Sequence, residues 1–193
     1  SNNQKKLLEL QAILQESGIE VISQRDAGCN FEVEENGSSF EENAYLKAIA
    51  VYKATGEASI ADDSGLMVEA LNGEPGVYSA RYAPGGPDAS DREKCEYLLS
   101  KLASSDDRRA KFATSICCIL PNGDIIRSYG ECRGEIIREM HGEGGFGYDR
   151  IFLVPELGKT TAELSDEEKN AISHRGKALR AMFEKLRAAG KIS

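Results

Sequence analysis

Two aspartates, Asp62 and Asp63, directly follow the apolar run Ser59-Ile60-Ala61 and precede Ser64-Gly65. Adjacent carboxylates repel, and beside an apolar strand they persist most comfortably when a cation, or a lysine or arginine, neutralises them. Hard oxygen ligands of this kind suit Mg²⁺. At a strand end, where clefts form in α/β proteins, the pair would be placed to act on a ligand. A solvated turn capped by one aspartate is the competing reading of the pair by itself.

Three other groups invite chemistry. The opening Ser1-Asn2-Asn3-Gln4-Lys5-Lys6 offers small polar side chains, backbone N–H groups at a helix start and a lysine, which together suit phosphate, although an ordinary helix cap begins in the same way. In Gly144-Gly145-Phe146-Gly147-Tyr148-Asp149 a ring stands between glycines, free to offer its face to a heterocycle, with Asp149 near as an acceptor. A glycine-rich turn around a core Phe is the rival there. Lys169, His174 and Arg175 form a run of donors fit for a purine carbonyl, or a solvated helix face. His141 and His174 are the only histidines, so each carries weight. A Ser64, His174 and Asp triad is set aside, because Ser64 follows two aspartates and lacks the G-x-S-x-G elbow.

The elements that must hold these residues follow from periodicity. Residues 5–17 put Leu7, Leu10, Ile13 and Leu14 on one helical face, with Gly18 at the stop. A short strand is predicted over 19–23. Ser39 and Glu42 have capping-box spacing before a second helix that Gly56 closes, and Ser90 and Glu93 repeat the device before a third. The run 58–68 reads as a strand crossing both aspartates, 110–120 and 125–137 as a hairpin at the centre of the sheet, and 151–154 as a further strand. Helices begun by Ser165 and Ser173 finish the chain. A helix opening within five residues of Ser1 leaves no room for the strand that normally feeds an α/β fold, so an N-terminal strand is expected to be missing.

The 193 residues carry 24 Lys and Arg against 32 Asp and Glu, a net charge of −8. That size predicts one domain, with room for two lobes and a sizeable core. The acidic balance argues against a protein that coats a polynucleotide, since such binding draws on clustered Lys and Arg. No stretch approaches the roughly 20 apolar residues of a membrane-spanning helix, and the N-terminus lacks signal-peptide order, so a cytoplasmic protein is expected. Cysteines 29, 95, 117, 118 and 132 are odd in number and lack C-x-x-C spacing, which predicts buried, reduced thiols.

Taken in order, six segments resemble the inosine triphosphate pyrophosphatase family over nearly the whole chain. They are S-N-N-x-x-K at the start, S-F-E-E-N-A-x-x-K-A (39–48), I-A-D-D-S-G-L (60–66), P-G-V-Y-S-A-R-Y (75–82), G-G-F-G-Y-D (144–149) and E-K-N-A-I-S-H-R (168–175). Any one is weak, but six in register are specific. The resemblance implies an elongated α/β fold on a mixed central sheet with flanking helices, two lobes around a nucleotide cleft, and a homodimer. The reaction it implies is hydrolysis of non-canonical purine nucleoside triphosphates (ITP, dITP, XTP) to the monophosphate and pyrophosphate, with Mg²⁺ as cofactor.

Carried over residue by residue, Glu34 and Asp63 would anchor the metal with Asp62 close by, and Asp63 would be the general base that activates water. Asn3, Lys6 and the backbone between them, within Ser1, Asn2, Asn3, Gln4, Lys5 and Lys6, would hold the triphosphate, and Ser64 would touch substrate. Phe146 would stack on the base, with Gly147, Tyr148, Asp149, Lys169, His174 and Arg175 lining its pocket. A 6-oxo purine then offers an acceptor to these donors, whereas adenine's 6-amino group leaves them unpaired, so ATP is expected to be rejected. Guanine shares the 6-oxo group, and its exclusion does not follow from these residues. Two departures stand out. The chain starts at the S-N-N motif, where the family normally has a preceding apolar strand, and Arg150 stands where the family commonly has proline, which would loosen the turn behind the base pocket. A catalytically silent nucleotide sensor and a pyrophosphatase for other modified nucleotides are the alternative functions. The concentrated acidic site argues against the sensor.

Overall fold

A computed structural model describes residues 4–16 and 18–192. The backbone divides into two compact units, one of Ser1–Ser64, Thr114–Gly130 and His174–Ser193, the other of Gly65–Ala113 and Glu131–Ser173. A five-stranded sheet in the order β1-β2-β3-β4-β5 supplies strands to both. Its members are β1 (Ser59–Val68), β2 (Arg109–Ile119), β3 (Ile125–Ile136), β4 (Phe152–Val154) and β5 (Lys159–Thr160). The predicted hairpin is β2 and β3, and β3 holds the middle of the order.

In the first unit, β2 is buried on both faces, and its alternation shows what covers each. Ile116 and Cys118 pack with Leu10, Ile13 and Leu14 of α1 (Gln4–Gln15) and with Leu179, Met182 and Phe183 of α5 (His174–Ala188). Cys117 and Ile119 point the other way, onto Ala44 and Ala48 of α2 (Phe40–Thr55). The period of two thus sorts one strand between two helical layers.

The second unit closes around Leu66 and Val68 of β1, Cys95 and Leu98 of α3 (Asp91–Lys101), Phe112 of β2, and Ile151, Phe152 and Val154. The β4–β5 hairpin is antiparallel, with Leu153 opposite Thr160. α4 (Asp166–Ile172) begins at Ser165, whose side chain and Glu168 complete a capping box, as Ser90 and Glu93 do for α3. All five cysteines are free and buried, as expected. Burial pushes the thiol pKa up to about 12 at Cys95 and about 11 at Cys118.

Three expectations are corrected. Residues 19–23 form no strand, because an extended segment becomes one only by pairing its backbone, and here the Val21 carbonyl accepts from Gln11 Nε2 at 3.1 Å instead. A cavity of about 950 Å³ is lined both by this segment and by residues 59–62 of β1, with Leu10, Leu14 and Phe183 among its apolar walls. Second, Asp62 and Asp63 are not at a strand end: β1 runs on to Val68. Third, only half a capping box forms at α2. Ser39 caps Glu42 N, but the Glu42 carboxylate turns to Ser38 N at 2.8 Å.

Candidate active site

Mid-strand placement decides what the two aspartates meet. Successive residues of β1 face opposite ways, so Asp62 and Ser64 share one face and Asp63 takes the other. On the first face Arg175, the second residue of α5, donates from Nε to Asp62 Oδ2 at 3.2 Å and from Nη2 to Ser64 Oγ at 2.9 Å. Its Nη1 pairs with Glu9 of α1, and Lys6 of α1 reaches Asp62 Oδ2 at 3.9 Å. On the second face Lys47 of α2 lies 3.5 Å from Asp63 Oδ1 and 2.7 Å from Glu35 Oε1. Asn43, one helical turn before Lys47, also hydrogen-bonds Asp63, and its Oδ1 accepts from Gly37 N at 2.8 Å.

These surroundings push the two carboxylates in opposite directions. Burial by itself would raise Asp62, yet the charges of Lys6, Arg175 and Lys47 and the Arg175 hydrogen bond overcome it and hold its pKa below the usual range. At Asp63 burial prevails over Lys47 and Lys6, the nearby Glu35 charge adds to it, and the pKa rises. Glu35 is lowered: burial opposes this, but Lys47 prevails. Lys47 is raised, because the Asp62, Asp63 and Glu35 charges outweigh its burial. Lys6 moves down, chiefly through burial. The pair is thus driven apart: Asp62 is held as an anion, and Asp63 is the more basic of the two.

Among the described residues, one oxygen of each aspartate, Asp62 Oδ1 and Asp63 Oδ2, is buried without a hydrogen-bond partner. Native structures seldom leave such atoms orphaned, and carboxylate oxygens held apart from their lysines are donors that fit a divalent cation. Among the described residues no three His, Cys, Asp or Glu side chains converge in a metal-holding group. Glu34 is exposed, and its neighbour Glu35 is the one that meets Lys47.

The second unit carries the aromatic group. Asp149 opens a single 3₁₀ turn, Asp149–Ile151, and its Oδ2 accepts from Phe146 N at 2.9 Å and from Lys169 Nζ at 2.8 Å. Lys169 Nζ sits 4.6 Å from the centroid of the Phe146 ring. Tyr148 donates to Ser79 O at 2.7 Å, and Cys95 to Gly147 O at 3.4 Å, so the glycine-rich loop is tied down from outside. In the turn that holds Arg150, Ile151 N donates to Tyr148 O at 3.1 Å, and His141 N donates to Arg150 O at 2.8 Å.

Of the residues singled out from sequence, Lys6, Asp62, Asp63, Ser64 and Arg175 come together in the first unit, where His174 is buried at the start of α5. Phe146, Asp149 and Lys169 come together in the second, with Gly147 and Tyr148 in the same loop. Gln4 and Lys5 are exposed in the first turn of α1, and Ser1, Asn2 and Asn3 lie outside the described residues. Sequence reasoning missed Glu9, Glu35, Asn43 and Lys47. The i, i+4 spacing of Asn43 and Lys47 beside the buried Ala44 and Ala48 was the available signal for two of them.

A buried carboxylate pair ringed by lysines and an arginine in one unit suits a small anionic ligand, and a Phe146 ring beside the Lys169–Asp149 pair in the other suits a planar group. The chain belongs to the Ham1 family, whose model matches residues 1–185. It is 50% identical over 179 residues to the dITP/XTP pyrophosphatase of Desulfotalea psychrophila, covering 93% of this chain and 79% of that one. It is 48% identical over 186 residues to the dITP/XTP pyrophosphatase of Staphylococcus epidermidis, covering 96% and 93%. The fold is similar to that of the Staphylococcus aureus Ham1 protein, with a TM-score of 0.87 at 47% identity over 98% of this chain and 96% of that one.

Proposed function

We propose that this protein hydrolyses the non-canonical purine nucleoside triphosphates ITP, dITP and XTP to the nucleoside monophosphate and pyrophosphate, clearing them from the nucleotide pool before incorporation into DNA or RNA. The observation that carries the reading is the buried carboxylate pair in the middle of β1, Asp62 bridged by Arg175 and Lys6 and Asp63 by Lys47, with one oxygen of each open to a cation. Relatives that bear the name dITP/XTP pyrophosphatase support the substrate class.

In this reading Asp63 accepts the proton of a water that attacks the α phosphorus in line, and pyrophosphate departs. Asp62 and Asp63, each with one oxygen open, would hold Mg²⁺, which would neutralise phosphate charge. Lys6 and the segment Ser1 to Lys5 bind the triphosphate, and Ser64 contacts it. Lys47 keeps Asp63 oriented through the contact at 3.5 Å. Phe146 stacks on the base, while Gly147, Tyr148, Asp149 and Lys169 line its pocket, and Lys169 donates to the 6-oxo group. A homodimer in the cytoplasm completes the reading, supported by the family resemblance.

The test is product analysis with ITP, XTP, dITP, GTP, ATP and dTTP in the presence of Mg²⁺. Selective release of pyrophosphate and monophosphate from the 6-oxo, non-canonical set is expected. Equal turnover of ATP and GTP, or release of orthophosphate instead, would overturn the reading.

A further inference from the structure

Thr161 has no part in the assignments above, yet its hydroxyl ends on the group that carries the base pocket. We propose that Thr161 is a positioning residue for purine recognition: its Oγ1 fixes the Asp149 carboxylate, which in turn fixes the Lys169 ammonium beneath the Phe146 ring. The proposal deepens the pyrophosphatase reading and rests on it.

The geometry comes from the β4–β5 hairpin. Asp149 lies in the 3₁₀ turn just before β4, and Thr161 starts the turn just after β5, so antiparallel pairing brings the two ends together. Thr161 Oγ1 donates to Asp149 Oδ1 at 2.8 Å and lies 3.2 Å from the Asp149 carbonyl oxygen. The other oxygen, Oδ2, serves Phe146 N and Lys169 Nζ. Both oxygens are therefore engaged, and rotation of the carboxylate about its Cβ–Cγ bond would break at least one contact. Thr161 is 4% exposed, Asp149 4% and Lys169 6%, so solvent cannot replace a lost donor cheaply.

Removing the hydroxyl leaves Oδ1 of a buried carboxylate without its Thr161 donor. The carboxylate then turns to share its remaining donors, and Lys169 moves with it. An ammonium that has moved reads a 6-oxo acceptor less well, so discrimination falls together with affinity. Groups that act on the phosphates are untouched.

Thr161→Val keeps the shape and deletes the hydroxyl, and Thr161→Ser keeps the hydroxyl and deletes a methyl. Steady-state kinetics with ITP and ATP, and equilibrium binding of inosine monophosphate, are measured for both variants and the parent. Expected for Thr161→Val is a rise of about tenfold in KM for ITP with kcat within twofold, a matching loss of inosine monophosphate affinity, and a fall of about tenfold in the ITP-to-ATP ratio of kcat/KM. Thr161→Ser should restore all three. A Thr161→Val enzyme whose ITP-to-ATP ratio stays within twofold of the parent overturns the proposal, as does an equal loss for both substrates, which would mean a structural role only. Failure of the pyrophosphatase reading looks different: the parent itself then releases no pyrophosphate from ITP. If the parent binds inosine monophosphate regardless, the binding comparison still decides on Thr161. If it does not bind, both ideas fall.

Discussion

Arg175 and Asp62 form a bridge of 3.2 Å in which each side chain is only 2% exposed, joining the start of α5 to the middle of β1 across 113 residues of sequence. Breaking such a pair strands a buried charge, which typically costs about 3 kcal/mol or more. Arg175→Ala, which also removes the Arg175 contact of Glu9, is expected to lower the melting temperature by about 6–12 °C for a chain of this size. Calorimetry on the variant checks it, and a drop smaller than about 2 °C would mean that the bridge contributes little.

Asp63→Asn separates chemistry from binding. Asparagine matches the shape and can still meet Lys47 and Asn43 through its oxygen, but it cannot accept a proton from water. Loss of a general base is worth roughly 10²–10⁴-fold in rate. Turnover of ITP by Asp63→Asn is therefore expected to fall by about 10³, with nucleotide affinity changed far less. Retention of more than a tenth of the parent rate would remove Asp63 from the role of base.

The opposite displacements of the two aspartates give opposite signs in pH. Asp62 has a native pKa below its unfolded value near 3.9, so its stabilising contribution is present above about pH 4 and is lost as the pH falls toward the native value. Asp63 has a native pKa above the unfolded value, so its contribution is present below about pH 4 and is lost as the pH rises through the native pKa. Denaturant titrations of Asp62→Asn and Asp63→Asn across the acid range should bend the stability profile in opposite directions.

Much of this is legible in the amino-acid sequence. The Ser90 and Glu93, and Ser165 and Glu168, pairs fix helix starts through contacts three residues apart, and both capping boxes form. The Asp62-Asp63 pair and the Phe146 loop also declare themselves locally. What the sequence could not show was distant or negative. Glu9 and Arg175 lie 166 residues apart, and nothing in their spacing pairs them. Choosing Glu35 as the partner of Lys47 requires knowing which way an extended segment turns. Residues 19–23 have the composition of a strand, but strand formation is a property of a pair.

Gly145 and Gly147 flank Phe146, and both hold a left-handed backbone, with φ of +68° and +61°. An alanine at either pays the strain of that conformation, about 1–2 kcal/mol. Their surroundings differ. A Cβ at Gly147 meets nothing within 4 Å, whereas one at Gly145 falls on the Asp149 carboxylate, with Cγ at 2.9 Å. Since that carboxylate holds Phe146 N and Lys169, Gly145→Ala must push it off its partners. Gly145→Ala should therefore raise KM for ITP by tenfold or more relative to the parent, because it moves the lysine that faces the base. Steady-state kinetics decide it: a KM within twofold of the parent would mean that the Asp149 carboxylate has no part in holding the purine.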